Sequence, residues 1–174
     1  NLTTNMSLIR GVSFINTQTN RSLALMAGQS VSINTTVANT IEVGLSGTVN
    51  HQRAFYSLQR QADNQSWTTL LSSQLYCPLP LGFRLATDIT YVATTGRSAG
   101  YNQPYARWNS YVSRTFFTRQ QGELRLQVFD LLNQNRSLVR TVTDMYIEDG
   151  QTQVLKRYFL LSFIYNLRQF GKTP

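Results

Sequence analysis

Along most of this chain, apolar and polar residues take turns one by one. In "RYFLLSFIYNLRQF", residues 157–170, Phe159, Leu161, Phe163, Tyr165 and Leu167 share one parity, whereas Ser162, Asn166 and Arg168 share the other. The same period sets Leu23, Leu25, Ala27, Val31 and Ile33 against Ala24, Gly28, Ser30, Ser32 and Asn34. It sets Ile41, Val43, Leu45 and Val49 against Glu42, Gly44, Ser46, Thr48 and Asn50, and Leu124, Leu126 and Val128 against Glu123, Arg125 and Gln127. Successive side chains leave a strand on opposite faces, so this period predicts two-faced β-strands. No stretch sustains the 3.6-residue period of a helix. Strands are expected over residues 6–17, 22–35, 41–60, 66–77, 83–95, 107–117, 123–132 and 155–169, with 138–148 extending the neighbouring hairpin.

A ribbon with one apolar face suits a strand on a soluble core, and equally a barrel strand against lipid. The connections separate the two. Thr36–Thr40, Pro78–Gly82 ("PLPLG") and Thr118–Gly122 ("TRQQG") are short. Between them fall Gln61–Gln65, Thr95–Ala106 and the long stretch Asn133–Val154. Apart from the brief one at Gln61, that is the alternation of short periplasmic turns and longer outer loops found in outer-membrane barrels, and a sandwich has no reason to follow it. Aromatic residues, among them Trp67, Tyr76, Phe83, Tyr105, Trp108, Phe116, Phe117, Tyr158 and Tyr165, fall mostly near the expected strand ends, where interfacial girdles would place them.

Composition narrows the picture. Hydrophobic residues make up 41% of the 174, enough for an ordered domain, but charged residues reach only 14%, with Ser, Thr, Asn and Gln in their place. That exchange suits a β-rich wall. The net charge of +8 rests on 16 Lys and Arg, all arginine except Lys156 and Lys172. The arginines are scattered singly from Arg10 to Arg168, without the run or stripe of a nucleic-acid surface, so no nucleic-acid partner is expected. Arginine on polar faces serves as well in charge-assisted hydrogen bonds. With one cysteine, Cys77, and one histidine, His51, no intrachain disulfide and no Cys/His metal site can be assembled. Six N-x-S/T sequons, at Asn1, Asn5, Asn20, Asn34, Asn64 and Asn135, are what a chain so rich in these residues produces by chance. No apolar run approaches the length of a transmembrane helix.

Catalytic patterns are missing. There is no G-x-S-x-G, H-E-x-x-H or phosphate-binding glycine loop, and His51 has no evident partner in a triad. The adjacent carboxylates Glu148 and Asp149 would point to opposite faces of a strand and read as a loop charge pair. Neither an enzyme nor a cofactor is expected.

Three segments carry a family resemblance: "YNQPYARWNSYVS", "GELRLQVFDLLNQNRSLVRTVTDMYIED" and "VLKRYFLLSFIYNLRQFGK". With "FDLLNQNRS" at Phe129–Ser137, "YIED" at Tyr146–Asp149 and the closing "RYFLLSFIYNL", the chain resembles the outer-membrane β-barrel family proteins of Bacteroidetes, the barrel part of TonB-dependent-receptor-like transporters. The likeness is carried mainly from Pro78 onward. It implies that residues 1–174 form a single segment, the C-terminal portion of a barrel of roughly twenty-two strands, the size of the outer-membrane transporters. An N-terminal plug and a TonB-contacting segment would lie outside these residues. Phe170 would be the aromatic read by the barrel assembly machinery, although Gly171–Pro174 follow it.

The expected fold is therefore all-β, an antiparallel up-and-down meander of about eight strands in the bacterial outer membrane. Its apolar parity would meet outer-membrane lipid. Arg84, Asp88, Glu123, Arg125 and Gln127 are the lumen-facing candidates, placed to meet a plug or a solute. Tyr101, Asn102, Tyr105 and Tyr146 are the candidates for outer-loop contact with an unknown ligand. The implied function is energised uptake, through the TonB system, of a scarce or bulky ligand. Two rivals stand beside it: a complete eight-stranded barrel with a structural or adhesive role, and a soluble β-sandwich binding module.

Overall fold

The computed structural model describes residues 1–38, 40–58, 64–96, 102–117, 121–142 and 147–166. Ten strands run through them: β1 (Leu2–Ile15), β2 (Gln18–Val37), β3 (Ile41–Tyr56), β4 (Asn64–Pro78), β5 (Phe83–Thr95), β6 (Tyr105–Phe116), β7 (Gly122–Phe129), β8 (Ser137–Val142), β9 (Ile147–Thr152) and β10 (Tyr158–Tyr165). Eight of them form one antiparallel sheet in the order β1-β2-β3-β4-β5-β6-β7-β10, a plain meander. Of the stretch 138–148, the described residues do not extend it as expected; β8 and β9 pair only with each other, as a separate hairpin between β7 and β10. The only helical element among the described residues is a 3₁₀ turn, Pro80–Gly82, and no helix is long and apolar enough to cross a membrane.

Because the chain reverses at every strand, the connections sort onto two ends. The connections after β2, β4 and β6 leave from one end, and those after β1, β3, β5 and β7 from the other. The long class thus gathers at one end, with the tight turn at 16–17 as its exception. That turn also corrects the first two expected strands, which stopped at 17 and resumed at 22. Asn16 (φ 48°) and Thr17 (φ 67°) both take left-handed backbone, as a two-residue hairpin turn with the twist of its strands requires. Asn tolerates that region, but a β-branched Thr gives no sequence sign of it. At the far end of β5, Gly96 (φ 78°) lies so close to the Gln65 carbonyl that a Cβ would collide with it.

The sheet is a single layer and has almost no core. Ala54 and Tyr56 are the buried hydrophobic residues among those described, while large apolar side chains such as Leu8, Phe14, Leu45, Leu126, Leu161 and Phe163 are exposed. The accessible surface is 12542 Å², against about 8,600 Å² for a compact soluble protein of 19.8 kDa. A β-sandwich buries its apolar face against a second sheet. Among the described residues the only other sheet is the two-stranded hairpin, so the sandwich alternative fails. β1 and β10 are the two edges of the sheet and do not pair with each other.

Register divides the sheet into an apolar and a polar face. Following partners from strand to strand, one face presents Leu8, Leu25, Val31, Ile33, Val43, Leu45, Leu71, Ile89, Val112, Leu126 and Leu161. The opposite face presents Asn5, Ser30, Thr48, Gln74, Asp88, Asn109, Ser113 and Arg125. Polar residues on the apolar face find local partners: Thr4 Oγ1 donates to Gln29 Oε1 at 2.9 Å, and Trp108 Nε1 donates to Thr87 Oγ1 at 2.6 Å. On β3 the apolar parity runs from Ile41 to Val49 before His51 and Arg53. Nine residues is the length of a tilted strand crossing the hydrocarbon of a bilayer.

Candidate functional site: the polar face of the sheet

The polar face is organised around Glu123, on β7. Its side chain lies against Arg125, two residues along the strand, whose Nε and a terminal guanidinium nitrogen donate to Glu123 Oε1 at 3.0 and 2.8 Å. Arg84, from β5, approaches Glu123 Oε2 at 3.8 Å. Arg125 in turn lies over the Tyr111 ring, 4.5 Å from its centroid, on the strand between. A carboxylate only 8% exposed is tolerable where two guanidinium groups and their hydrogen bonds replace water. The wall at this point is a charged patch whose members contact one another.

Beside it lies a groove of about 610 Å³ whose lining includes Glu42, Gln74, Tyr76, Asp88, Tyr111 and Gln127. Gly44 contributes to its depth, since a Cβ there would stand 2.8 Å from Asn34 Oδ1. Asp88 accepts a hydrogen bond from Asn109 Nδ2 at 2.9 Å. Carboxylate, amide and phenol groups along one groove can hydrogen-bond a polar solute or a polar segment of protein.

All five residues expected toward the lumen, Arg84, Asp88, Glu123, Arg125 and Gln127, therefore share the polar face: Glu123, Arg125 and Arg84 meet directly, and Asp88 and Gln127 line the adjoining groove. Tyr105 opens β6 with polar-face parity opposite Val92, and Asn102 lies exposed in the connection before it, at the long-loop end. Tyr101, Tyr146 and Phe170 lie outside the described residues. The aromatic residues divide between faces. Trp67, Phe83, Trp108, Phe116 and Tyr165 lie on the apolar face, whereas Tyr76, Tyr105 and Tyr158 share the polar one.

Sequence reading missed the residues that hold the long-loop end together. Asp130 ends β7 at φ 51°, earlier than the expected residue 132, and is 2% exposed. Its Oδ1 accepts from Gln134 N and its Oδ2 from Asn135 N, both at 3.0 Å, while its own N–H donates to Asn109 Oδ1 at 3.1 Å. Asn133 Oδ1 accepts from Arg157 N at 3.3 Å, and Asn135 Nδ2 donates to the Leu155 carbonyl at 3.2 Å. "FDLLNQN" is thus a turn that caps β7 and fixes the approach to β10. Asn20, fully buried, plays a similar part between β2 and β3, its Oδ1 accepting from Leu58 N at 3.2 Å and Ser57 Oγ at 3.3 Å. The available signal was the clustering of Asp and Asn, which bond nearby backbone in turns.

A one-layer antiparallel sheet with one apolar face, one charged face and long connections at one end is the wall of a transmembrane β-barrel. The chain belongs to the outer membrane protein beta-barrel family, whose model matches residues 3–165. Its place is accordingly the bacterial outer membrane. No curated protein and no solved structure matches the chain.

Proposed function

We propose that these residues form part of the wall of a TonB-dependent-type receptor that takes up a scarce or bulky ligand, with the apolar face in lipid, the polar face toward the lumen and the long-loop end outside the cell. The observation that carries the proposal is the open sheet: eight strands pair side by side, yet β1 and β10 remain separate edges. Unpaired backbone is not tolerated in hydrocarbon, so further strands of the same barrel would pair both edges and give the wide lumen that a plug requires. The charged patch at Glu123 and the groove beside it suit contact with such a plug or with a passing solute. The likeness of "FDLLNQNRS" and "RYFLLSFIYNL" to the TonB-dependent-receptor-like barrels of Bacteroidetes supports the same reading.

Eight is also the smallest common number of strands that closes, which favours the second reading, a small barrel with a structural or adhesive role. Uptake distinguishes them. In intact cells, accumulation of nutrients too bulky for porins should require both this protein and the TonB energy transducer. Accumulation that continues unchanged when the transducer is deleted would count against the receptor.

A further inference from the structure

We propose that Arg10, Arg21 and Arg53 form a binding site for the phosphate groups of an anionic lipid in the outer leaflet. The inference rests on the orientation just proposed, with the apolar face in lipid and the long-loop end outward.

All three arginines lie on the apolar face. Arg10 pairs with Leu23, and Leu23 with Phe55; Arg21 pairs with Val12, and Arg53 with Leu25. They therefore surround one cross-strand row, Arg10–Leu23–Phe55, from which Arg21 and Arg53 are displaced by a single same-face step. Arg10 and Arg21 are diagonal neighbours, about 7–8 Å apart and within combined reach of one phosphate, whereas Arg53 stands two strands from Arg10 and two same-face steps from Arg21, where it would meet a second phosphate of the same head. All three are exposed.

Among the described residues of the sheet, no carboxylate on this face compensates the charge. In the described sheet the carboxylates Glu42, Asp88 and Glu123 all lie on the polar face, and none lies on the apolar one. The arginines also stand at a specific height, just beyond the nine-residue apolar run of β3. His51 packs against Trp67 at that level, ring centroids 4.3 Å apart and planes tilted by 42°, and Arg53 lies 4.6 Å above the Phe55 ring. Aromatic rings at this position mark a membrane interface.

Between Arg10, Arg21, Leu23 and Phe55 lies an open groove of about 690 Å³. Cations on an apolar floor suit an amphiphile with a phosphorylated head. The opposite end of the same face differs: Arg114 stands between the Phe83 and Phe116 rings, at 5.1 and 5.6 Å, with no second arginine in register beside it.

The test uses the whole protein in neutral detergent, and native mass spectrometry to count retained lipid. A bis-phosphorylated lipid A, its dephosphorylated form and inorganic phosphate are the probes. The phosphorylated lipid should be retained and the dephosphorylated one not, and inorganic phosphate should not displace it. Arg10→Gln, Arg21→Gln and Arg53→Gln should each weaken retention about tenfold, the loss of one charge-assisted partner. Arg107→Gln, on the polar face, should leave it unchanged. Heat-modifiable gel mobility verifies that each variant is folded, and three separate single variants keep the test decisive if one of them does not fold. Orientation is read separately from a fluorophore at Leu45→Cys, in a Cys77→Ala background, in vesicles with brominated acyl chains. Quenching with no preference for the phosphorylated lipid would remove the lipid site and leave the facing intact. Absence of quenching would overturn both.

Discussion

Removing the Asp130 carboxylate should loosen the junction between β7 and β10 more than any other single change in the long-loop end. In Asp130→Ala, two backbone amides, Gln134 N and Asn135 N, lose acceptors that now stand 3.0 Å away, and the residue is otherwise nearly inaccessible to water. Hydrogen bonds to a charged group contribute about 1.5–3 kcal/mol each, and water entering the opened site recovers part of this, leaving an expected loss of about 2–4 kcal/mol. Alanine is also less at ease than Asp at φ 51°. Asp130→Asn keeps one acceptor and tolerates that backbone, so its loss should be smaller. The assay is urea-titrated folding of the whole protein into lipid vesicles, with the wild type and both variants in parallel. If Asp130→Ala unfolds at the same urea concentration as the wild type, the turn contributes nothing to stability and the reasoning fails.

Other expectations follow from the same geometry. Arg in place of Leu161 or Phe163, on the apolar face, should cost about 2–4 kcal/mol in vesicle folding, and Leu160→Arg, opposite Gln127 on the polar face, much less; equal costs would mean the faces are misassigned. Glu123→Gln should lower the unfolding temperature more than Arg84→Gln does, because it strands two guanidinium groups while Arg84 is the more distant partner, at 3.8 Å against 2.8 Å for Arg125. Gly28→Ala should destabilise by about 1–3 kcal/mol, since its methyl would press on the side-chain oxygens of Asn5 and Asn50 on the flanking strands. Combining it with Asn5→Ser should restore part of the loss; no recovery would place the strain elsewhere.

Much of the wall was legible because a period of two is a direct print of a sheet with unlike faces. The parity of Glu123, Arg125 and Gln127 against Leu124, Leu126 and Val128 survives unchanged in the register of β7 with β6 and β10. Arg84 and Asp88, two strands away in sequence, reach the same face because parity is kept through every antiparallel pairing. What parity cannot show is where a strand stops. β7 ends at Phe129 because Asp130 turns into left-handed backbone and caps the amides beyond it, and no hydrophobic pattern records that event. The same holds for Asn16–Thr17, and for Asn20, whose partners Ser57 and Leu58 lie at the far end of the next strand. Nor does one-dimensional pattern reveal the arginines on the apolar face as a group. Arg10, Arg21 and Arg53 are scattered in sequence and reach the same end of the apolar face only through the registers of three strands.

The claim that these strands belong to a larger barrel is tested most directly at the two edges of the sheet. Cysteines placed at Met6 or Leu8 of β1 and at Leu161 or Phe163 of β10, all on the apolar face, would lie on adjacent strands only if the eight strands closed on themselves. The pair Leu126→Cys and Leu161→Cys, opposite each other across β7 and β10, serves as the positive reference. In whole protein assembled in the outer membrane and lacking Cys77, oxidation should form the reference disulfide and none of the edge-to-edge ones. An edge-to-edge disulfide formed as readily as the reference would contradict the account and establish the small, eight-stranded barrel in its place.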